Sequence, residues 1–304
     1  MEESKNPHIV HHSISDLYKA LKIPLVQNLE FTIHFLPDIH TKLPFKSPVF
    51  RAEYFSFVFV KKGKGAYTTD EHRFEFEDHT IYFTNPGHIK SFDIESSNDA
   101  YIITLTETFL LENIHPKIFD EFPFLLAETV APMRLSPKEY KEMESLYLQI
   151  FEEFEKDAYY KDKIMGNLFI VLLLKIKERF WGSYNPLEEG DRNSQIVQSF
   201  KKLLEVQFKS HLTGSMGLPF QLHDYAEALN LHPNYLSTVI KSKTGKTVNQ
   251  WLNEKLIASA KTLLKTSDLS SKEISYRLGF SEPTHFGRFF KKYTGQTPKA
   301  YKAN

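Results

Sequence analysis

A short stretch near the end of the chain is used twice. Leu236–Thr247 and Phe286–Thr297 superpose at an offset of 50, so that Lys241 falls on Lys291, Thr244 and Gly245 on Thr294 and Gly295, and Thr247 on Thr297. Further upstream the offset becomes 49, with Ala226, Leu229, Asn230 and Leu231 meeting Ser275, Leu278, Gly279 and Phe280. A repeat of this length restricts the last third of the chain to two copies of one small supersecondary unit.

Each copy reads as two helices at an angle. A small residue (Ala226; Ser275) marks where the first helix packs, and a residue tolerant of left-handed backbone (Asn230; Gly279) ends it. An apolar residue (Leu231; Phe280) fills the corner. The second helix opens at His232-Pro233 or Ser281-Glu282-Pro283 and buries Leu236, Val239 and Ile240, or Phe286, Phe289 and Phe290, before Gly245 or Gly295 stops it. That is the pattern of a helix-turn-helix, in which exposed positions near the start of the second helix enter a major groove. Between the copies, Val248, Trp251, Leu252, Leu256, Ala260, Leu263 and Leu264 recur at helical spacing. One long helix there fixes the separation of the two units, and two successive grooves on one DNA face require about 34 Å.

Charge supports a polyanion partner for this part of the chain. The whole sequence is neutral, with 38 Lys+Arg and 38 Asp+Glu, yet the residues from Gln195 onward hold 16 of the former against 7 of the latter, leaving 22 against 31 before them. Lys and Arg gain affinity by displacing counterions from phosphates.

The segment Asp268–Tyr301 resembles the signature of the AraC/XylS family of transcription regulators nearly throughout, and the resemblance extends more loosely back to Gln195. It departs from the family pattern in having Lys255 and Lys302 where Arg is common; both keep the charge and lose the planar guanidinium fork. The resemblance implies base-facing roles for Asn234, Ser237 and Thr238 in the first copy and for Thr284 and Arg288 in the second, while Gly287 holds another contact position without a side chain. Arg pairs with guanine and Asn with adenine in the major groove. Lys241, Lys243, Lys246, Lys291, Lys292 and Lys299 are candidate phosphate contacts. The resemblance further implies double-stranded DNA as partner, activation with RNA polymerase as the commoner mode, and a homodimer.

The rest of the chain has a different texture. Up to about residue 106, short β-branched and aromatic runs alternate with turn signals such as Gly63-Lys64-Gly65 and Asn85-Pro86-Gly87. This predicts a small antiparallel barrel or sandwich, similar to the cupin-type sensor of many such regulators. From Ser136 to Phe180 the spacing becomes helical, with Ser136-Pro137 as a helix start and a break near 157–163. Ile164, Leu168, Leu172, Ile176 and Phe180 form a stripe that is either a dimer seam or one domain's core. A polar Gly- and Pro-bearing stretch follows. The expected fold is α+β multidomain: a cupin-like N-terminal antiparallel β-barrel over 1–135, a helical dimerisation segment over 136–182, a linker over 183–194, and an all-α domain of two helix-turn-helix units joined by a long helix over 195–304.

Several classes are disfavoured. With no cysteine there is neither a disulfide framework nor a thiolate metal site, no apolar run approaches a membrane span, and the first residues do not read as a signal peptide, so a cytoplasmic site is expected. No phosphate loop, nucleophile elbow or zinc-protease helix occurs, so no catalytic residue, metal or cofactor is expected. Three readings remain: a regulator responding to a small effector in the barrel; a regulator whose barrel serves only dimerisation or protein interaction; and a cupin-type metalloenzyme with a DNA-binding tail, drawing on His34, His40, His72, His79 and His88.

Overall fold

The computed structural model describes residues 9–23, 29–40, 42–114, 118–127, 131–180, 192–213 and 221–303. The chain divides into two compact units, residues 1–109 with 127–183 and residues 110–126 with 184–304.

The first unit is built on a nine-stranded sheet. Its elements are β1 (Ile9–His11), α1 (Ile14–Leu21), β2 (Phe31–Phe35), α2 (Leu36–Ile39), β3 (Phe45–Lys46), β4 (Phe50–Ala52), β5 (Phe55–Thr69), β6 (His72–Phe76), β7 (Thr80–Thr84), β8 (Ile89–Leu105) and β9 (Met133–Arg134). The strand order is β1-β4-β8-β5-β7-β9, with β2 and β3 also on β8 and β6 also on β5. Only β1 and β4 run parallel. These pairings leave β1 and β9 unjoined, so the sheet is not a closed ring.

The expected turn at Gly63-Lys64-Gly65 lies inside β5, which runs on for 15 residues and shifts register against β8 there. A Cβ on Gly65 would stand 2.3 Å from the Asp93 carbonyl oxygen. The glycine therefore marks a bulge where two long strands approach closely. Asn85-Pro86-Gly87 does turn, with Gly87 at φ 91°.

Alternation along the strands separates two faces. Phe31, Ile33, Phe57, Phe59, Ile81, Phe83, Ile103 and Leu105 share one face, which is buried. Helices α5 (Pro137–Phe154) and α6 (Lys161–Phe180) cover it: Phe57 meets Phe169 edge-on at 5.0 Å, and Phe59 lies 5.2 Å from Tyr147. Each such side chain contributes ~1.5–3 kcal/mol on burial. The start of α5 follows the sequence reading, with Ser136 and Glu139 forming a reciprocal capping box.

The expected dimer stripe needs correction. Leu172 and Ile176 are fully buried, Leu168 is half-buried, and the Phe180 side chain lies outside the described residues. Phe169 beside them packs on Phe57 of the sheet; among the stripe's described side chains only Ile164 is exposed, as are Val171 and Leu174 on the same helix.

The second unit is helical. Its first part contains the end of α3 (Glu107–Asn113), α4 (Ile118–Glu121) and a 3-10 turn over Pro123–Leu126. The sequence reading assigned these residues to the barrel. They belong here because Ile118, Phe119, Phe122, Phe124 and Leu125 are buried, the Tyr301 hydroxyl donates to Glu112 Oε1 at 3.0 Å, and Lys255 Nζ stands 4.7 Å above the Phe119 ring. The expected linker lies outside the described residues as far as 191, and its last three residues open a helix that periodicity did not reveal, α7 (Arg192–Thr213). There follow α8 (Leu222–Ala228), α9 (Pro233–Thr244), α10 (Val248–Thr266), α11 (Ser271–Arg277), α12 (Pro283–Thr294) and α13 (Pro298–Ala303).

Candidate nucleic-acid interface

The repeat is reproduced at the level of single hydrogen bonds. In the first copy, α8 gives way to Asn230 at φ 53°, and the Leu231 N–H donates to the Ala226 carbonyl at 2.8 Å. In the second, α11 gives way to Gly279 at φ 83°, and the Phe280 N–H donates to the Ser275 carbonyl at 3.0 Å. Gly245 and Gly295 close α9 and α12 at φ 72° and 76°. Positive φ suits Gly best and Asn next, which is why these residues occupy the joints. Thr244 and Thr294 each turn their hydroxyl back to the carbonyl four residues earlier, at 2.7 and 2.8 Å.

Two adjacent cores hold the second helices in place. Leu236, Val239 and Ile240 pack with Phe200, Leu204, Tyr225 and Trp251, so α7 completes the core of the first helix-turn-helix. Phe286 and Phe290 pack with Leu263, Leu264, Ile274 and Leu278 around the far half of α10. Phe289 is only half-buried and lies against Phe280 and Tyr293. The shared helix α10 contributes Trp251 and Leu252 to one core and Ala260, Leu263 and Leu264 to the other.

With those faces buried, the opposite faces of α9 and α12 are presented outward. Asn234, Thr238 and Lys241 on α9 are exposed and Ser237 is partly so; Thr284, Arg288 and Lys291 on α12 are exposed, with Gly287 between them. The two sets occupy positions i, i+3, i+4 and i+7 and match one another at an offset of 50. The Thr238 hydroxyl donates to the Asn234 carbonyl at 2.8 Å, leaving its lone pairs as acceptors. Arg288 is exposed and forms no hydrogen bond or ion pair among the described residues, so its guanidinium is not engaged within the protein.

The candidate phosphate lysines separate on burial. Lys241, Lys291, Lys292 and Lys299 are exposed and Lys243 is partly so. Lys246 is not available: it is 3% exposed, donates to Glu254 Oε2 at 2.7 Å and lies 5.0 Å from the Trp251 ring centre. It stabilises the first helix-turn-helix from within. The two lysines that stand for family arginines are also engaged by partners within the protein, one buried and one at the surface. Lys255 is buried against Glu205 on α7. Lys302 donates to the Ser267 and Leu269 carbonyls at 3.0 and 2.7 Å, closing the end of α10, a task an ammonium does as well as a guanidinium.

The histidines do not converge. His34 shares a 2.8 Å hydrogen bond with the Tyr18 hydroxyl, His40 stacks on Phe45, His72 lies by Phe74, His79 by Tyr140, and His88 holds Asp70 at 2.7 Å. Among the described residues no group of three or more His, Asp and Glu side chains is placed to hold a metal, and no helix is long and apolar enough to cross a membrane.

Two equivalent units on one rigid helix, each turning a polar helix face outward, define a double helix-turn-helix protein. Residues 225–304 match the family model described as a helix-turn-helix domain. The chain is 27% identical over 158 residues to the HTH-type transcriptional regulator YijO of Escherichia coli, a match covering 52% of each protein. It is 26% identical over 158 residues to the arabinose operon regulatory protein of the same organism, covering 52% of this chain and 50% of that one. Among solved structures it is 34% identical to the C-terminal domain of the two-component response regulator yesN of Fusobacterium nucleatum, over 34% of this chain and 96% of that one, with a TM-score of 0.29. Over these stretches the C-terminal unit is similar to regulators of the AraC type. The matched stretches span about half the length of the two curated relatives, both of which are named as regulators.

Proposed function

We propose that this protein is a sequence-specific transcription regulator that binds double-stranded DNA through both helix-turn-helix units and activates transcription together with RNA polymerase. The observation that carries the reading is the pair of matched outward faces on α9 and α12, each backed by its own core and both fixed to α10. Asn234, Ser237 and Thr238 read bases in one groove, and Thr284 and Arg288 in the next; Lys241, Lys243, Lys291, Lys292 and Lys299 hold phosphates. Replacing Arg288 by Ala tests it. Base reading requires discrimination to fall by ~1–3 kcal/mol at one position of the site, whereas an equal loss on all sequences would reduce Arg288 to a phosphate contact.

The first unit, whose strand pattern is cupin-like, serves in this reading as the sensor. On the sheet face turned away from α5 and α6, Thr32, Thr104, Ser56 and Thr84 stand directly opposite one another across β2, β8, β5 and β7, all buried. The row ends at Lys90, whose buried ammonium donates to Thr84 Oγ1 at 2.9 Å. Hydroxyls and a cation on an otherwise apolar inner face suit a small effector with an anionic group.

One observation favours the alternative, in which this unit serves only interaction between proteins. The same face carries Tyr67 stacked on Tyr82 at 4.2 Å, flanked by Phe74 and Phe76, so aromatic side chains already fill part of it. Thermal unfolding in the presence of a panel of small carboxylates and their alcohol analogues separates the two. A rise with carboxylates alone supports the sensor, and no rise with any supports the interaction module.

A further inference from the structure

Gly287 is out of place as a matter of helix chemistry. It sits in the interior of α12, where Gly is the weakest helix former after Pro. Its φ is not positive, so the backbone does not need it. Packing does not need it either, because a Cβ built there would have no neighbour within 4 Å. The matched position on α9 is Ser237, so the same scaffold carries a side chain at this point in its other copy. The glycine therefore costs helix stability and returns nothing to the fold of the protein alone.

What remains is the partner. Gly287 lies on the outward face between Thr284, one turn before it, and Arg288, the side chain that reaches furthest. We propose that Gly287 sets how deeply α12 enters its groove: the missing side chain lets the helix main chain approach the DNA more closely than α9 does, and so brings Arg288 onto a base edge. Close approach of a backbone to its ligand is one of the few tasks only glycine performs. This inference rests on the DNA-binding reading above and assigns α12 the closer contact of the two recognition helices.

The test uses the full chain and the DNA duplex that the unaltered protein selects from genomic fragments. Gly287→Ala and Gly287→Ser are compared with Ser237→Ala for thermal midpoint and for affinity. Gly287→Ala is expected to raise the midpoint by about 2–4 °C, as removal of an exposed helical glycine does, while weakening binding at least tenfold, with Gly287→Ser weakening it further. Ser237→Ala is expected to change affinity less than either. A raised midpoint with unchanged affinity would overturn the inference, since the glycine would then be merely tolerated. A lowered midpoint would overturn its premise, that the fold does not require glycine. If the unaltered protein selects no shared sequence, the regulator reading fails and this inference falls with it; if it selects one and the glycine variants bind equally well, only the inference falls.

Discussion

Lysines close together in sequence meet opposite fates in this protein. Lys241 and Lys291 project from the outward faces of the recognition helices, whereas Lys246, one residue past the glycine that closes α9, is enclosed with Glu254 and the Trp251 ring. In the second copy the matching residue is Gln296, so the repeat itself hints that position 246 is not part of the shared binding surface. The sequence alone could not decide this, because the enclosure depends on a glutamate eight residues later and on a tryptophan whose own N–H is fixed to Thr244 at 3.0 Å. The consequence is measurable. Lys246→Met is expected to lower the thermal midpoint and leave the salt dependence of DNA binding unchanged, whereas Lys292→Ala is expected to weaken binding on every sequence and reduce the salt slope by about 1. A reduced slope for Lys246→Met would return that residue to the DNA surface.

Helices of the C-terminal unit were legible because their ends carry their own chemistry. Thr247 with Gln250 and Ser270 with Glu273 form reciprocal caps, and Gly245 and Gly295 take the left-handed conformation that ends α9 and α12. Ser270→Ala removes a side-chain acceptor from the start of α11 and is expected to cost ~1 kcal/mol, seen as a lower midpoint in chemical or thermal unfolding; no change would mean that water replaces the cap. Less was legible in the sheet, where β5 and β8 run through their glycine and polar interruptions and the bulge at Gly65 depends on a strand 28 residues away. Helix α7 was missed because its polar composition hides Ile196, Val197, Phe200, Leu204 and Phe208, which are buried only once the first helix-turn-helix packs on them. In α6 the apolar residues run all round its middle, so composition could not say which side met the sheet.

At the scale of the whole molecule, the outer side of α6 presents Ile164, Asn167, Val171, Leu174 and Glu178, all exposed and spaced alternately three and four residues apart. That is the spacing of a two-stranded coiled-coil seam, with Asn167 as a polar residue within it. The homodimer expected from the sequence would place a second copy on this face. Val171→Asp combined with Leu174→Asp is expected to give a monomer by sedimentation; a dimer that survives both changes would place the interface elsewhere. The N-terminal unit should also weaken on acidification. Burial pushes His34 and His11 below the ordinary value of 6.5, for His34 against the opposing pull of Glu155 and Asp38. In both, the folded state takes up its proton less readily than the unfolded chain, which does so near 6.5. Stability is full above that value and falls as the pH drops through it towards the folded values, so His34→Gln should flatten the loss that sets in as the pH falls below about 6.5. An equal loss in wild type and variant would remove His34 from this account.

The central claim is that two helix-turn-helix units held by one helix read DNA together. The most direct measurement is to mix the purified protein with sheared DNA from its own source at near-physiological salt, recover what binds, and sequence it. The account predicts a shared motif with two blocks of fixed bases whose centres lie about one helical turn, 10–10.5 base pairs, apart. Recovery of DNA with a single fixed block, or with none, would contradict it.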